Sequence, residues 1–134
     1  MPLDYSIIIP AYNEEEYLLK TLAALKNAMP ELTLSGEIIV VDNNSSDRTA
    51  AIAEEQGATV IFECINQISR ARNAGAKAAQ GRYLIFVDAD TIAPLGLLQQ
   101  ALANLESGKI IGGGANMVGD IPLRFSMQLL VNFW

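Results

Sequence analysis

The chain predicts an α/β fold: a doubly wound, mostly parallel sheet with helices on both faces. Three observations point there. Short β-branched runs of strand length alternate with segments whose apolar residues recur at helical spacing. These runs are apolar on consecutive positions, as in strands of a parallel sheet buried on both sides. Connections of the strand, crossover, parallel strand kind are overwhelmingly right-handed, which leaves a doubly wound sheet as the simplest topology.

The elements follow in order. Tyr5 to Ile9 is the first strand, and the helix after it begins near Glu14, with Tyr17, Leu18, Thr21, Leu22 and Leu25 on one face. Acidic residues at its start suit the positive end of the helix dipole. Pro30 to Gly36 reads as a loop before a second strand, Glu37 to Val41. Ser46 or Asp47 caps a helix through about Gln56, which Gly57 ends, and a short strand follows at Thr59 to Phe62. Ser69 opens a helix whose Ala71, Ala74, Ala76, Ala78 and Ala79 allow close packing on a sheet, with Gly81 as terminator. Tyr83 to Val87 is the central strand, and Leu95 to Leu105 an amphipathic helix closed by Gly108. Ile110 and Ile111 begin a further strand that runs into Gly112-Gly113-Gly114. The stretch Ile121 to Trp134, large and apolar with a single charge at Arg124, reads as a helix, packed on a partner or lying at a lipid interface. Either way its apolar face invites self-association.

Composition bounds the function. With 134 residues, 51% of them hydrophobic, the chain can form one domain with a real core. A net charge of −6 argues against a nucleic-acid partner, because affinity for phosphate backbones comes from clustered Lys and Arg. No histidine and the single Cys64 leave almost no zinc ligands and no internal disulfide, in keeping with a reducing compartment. The start Met1-Pro2-Leu3-Asp4 lacks a basic leader, and no continuous apolar stretch spans a bilayer. The expected location is therefore cytoplasmic, with a peripheral membrane position open because of the apolar carboxyl end.

Three apolar runs end abruptly in polar residues, which would set Asn13, Glu14, Asp42, Asp88 and Asp90 along one sheet edge. Ligands of open α/β sheets bind at that edge. Asp88-Ala89-Asp90 offers the paired carboxylates that hold a Mg²⁺-like ion while substrate phosphates complete its shell. An isolated pair of this kind is also compatible with a loop capping the next helix. Asp42 either accepts a hydrogen bond from the imide N–H of a uracil ring or caps a strand-to-helix turn. Glu14 either bonds ribose hydroxyls or favours a helix start. Pro10, Ala11 and Tyr12 offer backbone groups and an aromatic face. Arg72 and its neighbour Arg70 each have the guanidinium fork that fits diphosphate oxygens, or lie on a solvated helical face. Gly75 reads as a close-packing position rather than a ligand contact.

Four segments, Pro10-Ala11-Tyr12-Asn13-Glu14, Val41 to Thr49, Ala71-Arg72-Asn73-Ala74-Gly75 and Asp88-Ala89-Asp90, occur in an order and context that resembles the amino-terminal, nucleotide-sugar-binding half of a family 2 glycosyltransferase of the GT-A fold. The resemblance runs to about Gly114. It implies metal-dependent transfer, with Mn²⁺ or Mg²⁺, of a sugar from a nucleotide diphosphate sugar, UDP-sugar first among them, to a hydroxyl of a saccharide, lipid-linked or protein acceptor, usually with inversion. It further implies a nucleobase role for Asp42, Arg72 in preference to Arg70 as the diphosphate partner, direct metal ligation by Asp90, and assistance by Asp88 through sugar hydroxyls, water or the metal. One departure is Asn66-Gln67-Ile68, where the family pattern often has a glycine.

In family members the general base lies well downstream of the acid pair, whereas here Asp120 is the only acidic residue after Glu106. Residues 1–114 are thus expected to be a donor-binding domain, and 115–134 an apolar segment leading into a missing acceptor-binding half, so that the chain alone does not transfer sugar. The alternative is a truncated, non-catalytic nucleotide-binding or interaction module. A sugar nucleotidyltransferase would carry a glycine-rich, basic loop where Pro10-Ala11-Tyr12-Asn13-Glu14 stands, and a receiver-type signalling domain a lysine where Gly112-Gly113-Gly114 stands.

Overall fold

The strand β1 (Leu3–Ala11) is the spine of the molecule, with Ile7, Ile8 and Ile9 wholly withdrawn from solvent. In this computed structural model, which describes residues 2–108, 113–115 and 127–129, β1 pairs in parallel with β2 (Gly36–Asp42) on one side and β4 (Gly81–Val87) on the other. β3 (Thr59–Phe62) extends the sheet in parallel beyond β2. Past β4 lie two short antiparallel strands, giving the order β3-β2-β1-β4-β6-β5, with β5 at Gly113–Ala115 and β6 at Met127–Leu129.

Successive strand side chains point to opposite faces, and both faces are covered. Tyr5, Ile7 and Ile9 face a core shared with Leu18, Leu22 and Leu25 of α1 (Leu18–Ala28), Ala53 of α2 (Thr49–Glu55), and Leu98, Leu102 and Leu105 of α4 (Leu95–Glu106). Ile8 faces a second core with Ile39, Val41, Leu84 and Phe86, covered by Ala71 of α3 (Ile68–Ala78). Gly75 lets α3 sit so close, since a Cβ there would lie 2.4 Å from Ile8 Cγ2. This is the doubly wound α/β arrangement, as the alternation of runs predicts.

Three local expectations are corrected. α1 begins at Leu18, not near Glu14: Tyr17 N–H and Leu18 N–H both donate to the Glu14 carbonyl, and Glu15–Tyr17 form a turn. The backbone is diverted just before, at Asn13, by a φ of 51°. Gly81 does not terminate α3, which ends at Ala78. It opens β4, where a Cβ would meet the Tyr5 carbonyl carbon at 2.2 Å and the Ser6 nitrogen at 2.5 Å. Finally, Met127–Leu129 form a strand where a helix is expected, because Ile85–Val87 of β4 present ladder groups that a neighbouring strand satisfies. The rest of the stretch from Ile121 to Trp134, and Ile110 to Gly112, lie outside the described residues. Among the described residues, no helix is long and apolar enough to cross a membrane.

Candidate functional site

The chain steps outward from β1 to β2 to β3, then returns to the other side of β1 as β4. Such a reversal leaves a crevice at the carboxyl ends of the two central strands. A cavity of about 520 Å³ occupies it, lined by Pro10, Ala11, Tyr12 and Glu14 after β1, Asn43 after β2, Asn66 and Ile68 at the entry to α3, and Asp88, Ala89 and Asp90 after β4.

The first wall is built by two loops that satisfy each other's backbone. Asn13 N–H donates to Ser45 Oγ at 3.0 Å, while Ser46 N–H donates to Asn13 Oδ1 at 2.8 Å. Glu14 N–H donates to the buried Thr49 Oγ1 at 2.9 Å, and Glu15 N–H to Asp47 Oδ2 at 3.2 Å. In return Arg48 N–H donates to Glu15 Oε2 at 3.2 Å. Asn13 and Asn44, with φ of 51° and 61°, take the left-handed conformation that asparagine tolerates better than most residues. Asp47 also serves the start of α2, its Oδ1 accepting the Thr49 N–H at 2.9 Å and the Thr49 hydroxyl. Burial alone would raise the Asp47 carboxyl. The hydrogen bonds from the Thr49 side chain and backbone and from the Glu15 N–H outweigh it and hold the group below its ordinary value.

A second tie joins β2 to the entry of α3. Asn43 Nδ2 donates to the carbonyls of Glu63 at 3.1 Å and Ile65 at 2.6 Å, and Asn66 Nδ2 returns a bond to the Asn43 carbonyl. The Asn66 to Ile68 departure from the family pattern therefore forms part of the cavity wall.

Six of the expected donor-side residues line the cavity: Pro10, Ala11, Tyr12, Glu14, Asp88 and Asp90. Asp42 and Arg72 do not. Asp42 is buried with Oδ1 accepting the Ser45 N–H at 3.0 Å, so it shapes the turn, and the adjacent Asn43 reaches the wall. Arg72 stands behind the acid pair, its Nη2 3.9 Å from Asp88 Oδ1, with both side chains about a quarter exposed. Its Nε is buried without a hydrogen-bond partner among the described residues. Asn43, Asn66 and Ile68 are the wall residues that sequence reasoning missed. For Asn43 the signal was its place in the strand-ending polar run, and for the other two it was the departure at Asn66-Gln67-Ile68, which marks the loop without saying that it reaches the cavity.

The electrostatics converge on the cavity. Burial pushes the Glu14 carboxyl up from its ordinary value, and the negative charges of Asp90, Asp47 and Asp88 push it further. Among the described residues, no three acidic or cysteine side chains are grouped so as to hold a metal ion by themselves. A pair of carboxylates with an incomplete shell fits a hard cation of the Mg²⁺ or Mn²⁺ type, which takes oxygen ligands and leaves positions for phosphate and water.

Comparison with other proteins shows the family and the fold. The model of the family described as glycosyl transferase family 2 matches residues 6–129. The uncharacterized glycosyltransferase EpsJ of Bacillus subtilis is 35% identical over 117 residues, covering 81% of this chain and 33% of that protein. The dolichol-phosphate mannosyltransferase of Pyrococcus furiosus is 32% identical over 118 residues, covering 84% of this chain and 33% of that protein. Among solved structures, residues 1–349 of Staphylococcus aureus TarS in complex with UDP-GlcNAc superpose with a TM-score of 0.66 at 28% identity, covering 78% of this chain and 32% of that one. Glucosyl-3-phosphoglycerate synthase of Mycobacterium tuberculosis, in complex with Mn²⁺, UDP and glucosyl-3-phosphoglycerate, shares the fold with a TM-score of 0.68 at 22% identity, covering 80% of this chain and 41% of that one. The chain spans about a third of the length of these two curated relatives. Its sheet is that of the GT-A glycosyltransferases, and the chain belongs to glycosyl transferase family 2.

Proposed function

We propose that the crevice between β1 and β4 binds a nucleoside diphosphate sugar, a UDP-sugar in the first place, together with Mn²⁺ or Mg²⁺, for transfer of the sugar to an acceptor hydroxyl. The observation that carries this reading is the acid pair Asp88 and Asp90 sharing one cavity with Glu14 at the strand-order reversal. The UDP-GlcNAc bound by TarS, which shares this fold at 28% identity, supports the choice of donor.

Asp90 presents its carboxylate to the cation, with Asp88 as the second oxygen source. When bound, the cation offsets negative charge on the departing diphosphate. Arg72, close behind Asp88, keeps part of the acid pair's charge compensated and brings a guanidinium to the diphosphate side. Tyr12, more than half exposed at the rim, offers an aromatic face, and the Pro10 and Ala11 backbone offers polar groups to the nucleoside. Glu14 suits a ribose hydroxyl, because a carboxylate in a negative, part-buried setting gains from a donor hydrogen bond. Asp42, set back from the cavity wall with Oδ1 accepting the Ser45 N–H, has further lone pairs for the uracil imide, an assignment that requires the base to seat against the β2 turn beside Asn43.

Inversion requires a base for the acceptor hydroxyl. All donor-side groups named here fall within residues 1–114, and no base is assigned within the chain. A transfer assay with labelled UDP-sugar separates this reading from a second one, a nucleotide-binding module without turnover.

Thermal scanning with UDP, with Mn²⁺, and with both tests the site. At a ligand concentration about 100 times Kd, binding contributes roughly 2.7 kcal/mol, a rise of a few degrees in Tm for a domain of this size. Asp90→Ala is expected to abolish the part that needs both ligands together. The same shift in that variant would refute the metal assignment.

A further inference from the structure

Ala89 separates the two acidic side chains, and its carbonyl is held from a distant element. Thr21 Oγ1 of α1 donates to the Ala89 carbonyl at 2.6 Å, across 68 positions of sequence and out of contact with solvent. The Tyr17 carbonyl lies 3.2 Å from the same hydroxyl, the ordinary local partner of a helical threonine. A hydroxyl has one proton to give, and the shorter contact takes it. The Thr91 N–H donates to the Asp88 carbonyl at 3.0 Å. Two hydrogen bonds thus fix the backbone that carries both carboxylates, one within the turn and one from α1.

α1 is also the helix launched from the opposite wall, where Tyr17 N–H and Leu18 N–H bond the Glu14 carbonyl. A single rigid element therefore holds the backbone of Glu14 at its start and the acid turn through Thr21, one turn further on. We propose that Thr21 is a positioning residue, which aims the Asp88-Ala89-Asp90 turn at the cation and diphosphate and keeps it in register with Glu14. The proposal rests on the nucleotide and metal reading above.

The test compares the chain with Thr21→Val, which keeps the volume without the hydroxyl, Thr21→Ala, a second hydroxyl-free variant, and Thr21→Ser, which restores the donor. Calorimetric titration with UDP, with and without Mn²⁺, gives the gain in affinity due to the metal. Removing groups that orient metal ligands typically costs 10- to 100-fold in metal affinity. The hydroxyl-free variants are accordingly expected to lose about tenfold or more of that gain, a larger change than any in metal-free UDP affinity, with the gain recovered in Thr21→Ser. Without ligand, the Thr91 amide is expected to exchange with solvent faster in these variants, while β1 amides keep their protection. A full metal-dependent gain in a folded hydroxyl-free variant would overturn the role of Thr21 alone. No gain in the unmodified chain would overturn the nucleotide and metal reading, and the role of Thr21 with it.

Discussion

Glu14 is the residue on which the charges of the cleft converge. Burial, then Asp90, Asp47 and Asp88, raise its carboxyl above the ordinary 4.5. A raised value means that the folded state binds this proton more tightly than the unfolded chain. Its contribution to stability is therefore complete below the ordinary value and is lost as the pH climbs through the raised one. Glu14→Gln removes the ionisable group while leaving the backbone bond to Thr49 in place. The variant is expected to be more stable than the unmodified chain at neutral pH, with the difference shrinking as the pH falls below the usual carboxylate range. Denaturation midpoints across pH check this, and a pH-independent difference would contradict it. Thr49 makes a separate prediction. Thr49→Val leaves the Glu14 N–H without its acceptor, at a cost of about 1–3 kcal/mol, whereas Thr49→Ser should retain most of the stability in a urea titration. At this scale the place of the acid pair and Glu14 at the ends of strands was legible, because the apolar runs stop abruptly at them and open α/β sheets have their crevice at those ends. The positions of Asp42 and Arg72 one layer back were not, since each depends on a turn or a helix packed from elsewhere.

Among the elements, α3 and β4 show how close approach is achieved. A methyl at Gly81 would run into β1 backbone at Tyr5 and Ser6, which cannot retreat without opening the β1–β4 ladder. A methyl at Gly75 would press on Ile8 Cγ2 at 2.4 Å and Val41 Cγ2 at 3.0 Å, side chains that can give a little as α3 lifts. Overpacking typically costs about 1–3 kcal/mol. Gly81→Ala is expected at or beyond the upper end and Gly75→Ala below it, as read from denaturant midpoints; the reverse order would contradict the packing described. Gly75→Ala should also weaken UDP binding, because Arg72 rides on the same helix, three residues earlier. Helical and strand periodicities in the sequence were sufficient to place four helices and four parallel strands within a few residues. The meaning of Gly81 was hidden, because a helix terminator and a strand-contact glycine look alike in one dimension. Met127–Leu129 were also misread, because a three-residue strand has no periodicity of its own and exists through its partners.

The whole molecule carries a charge of −6 and presents an acid pair to what is proposed to be an anionic ligand. Its field repels free UDP, and added monovalent salt screens that repulsion. Metal-free UDP affinity is therefore expected to hold or rise with salt, while the Mn²⁺-dependent gain falls as the acid pair's attraction for the cation is screened. Titration at several ionic strengths checks both trends, and a steep fall in metal-free affinity would point to a basic site instead. By itself the sequence determined the α/β alternation, the consecutive apolar runs that demand a sheet covered on both faces, and the polar residues that end each run, since these follow from local periodicity and composition. The tertiary structure alone decided that β4 returns beside β1 and places the acid pair across from Glu14, that Asn43 and Asn66 reach the wall in place of Asp42, and that Thr21 holds Ala89. The physical reason is range. Strand order and the aim of a side chain past a strand end are settled by pairings dozens of residues apart, and no local pattern encodes which partner will be there.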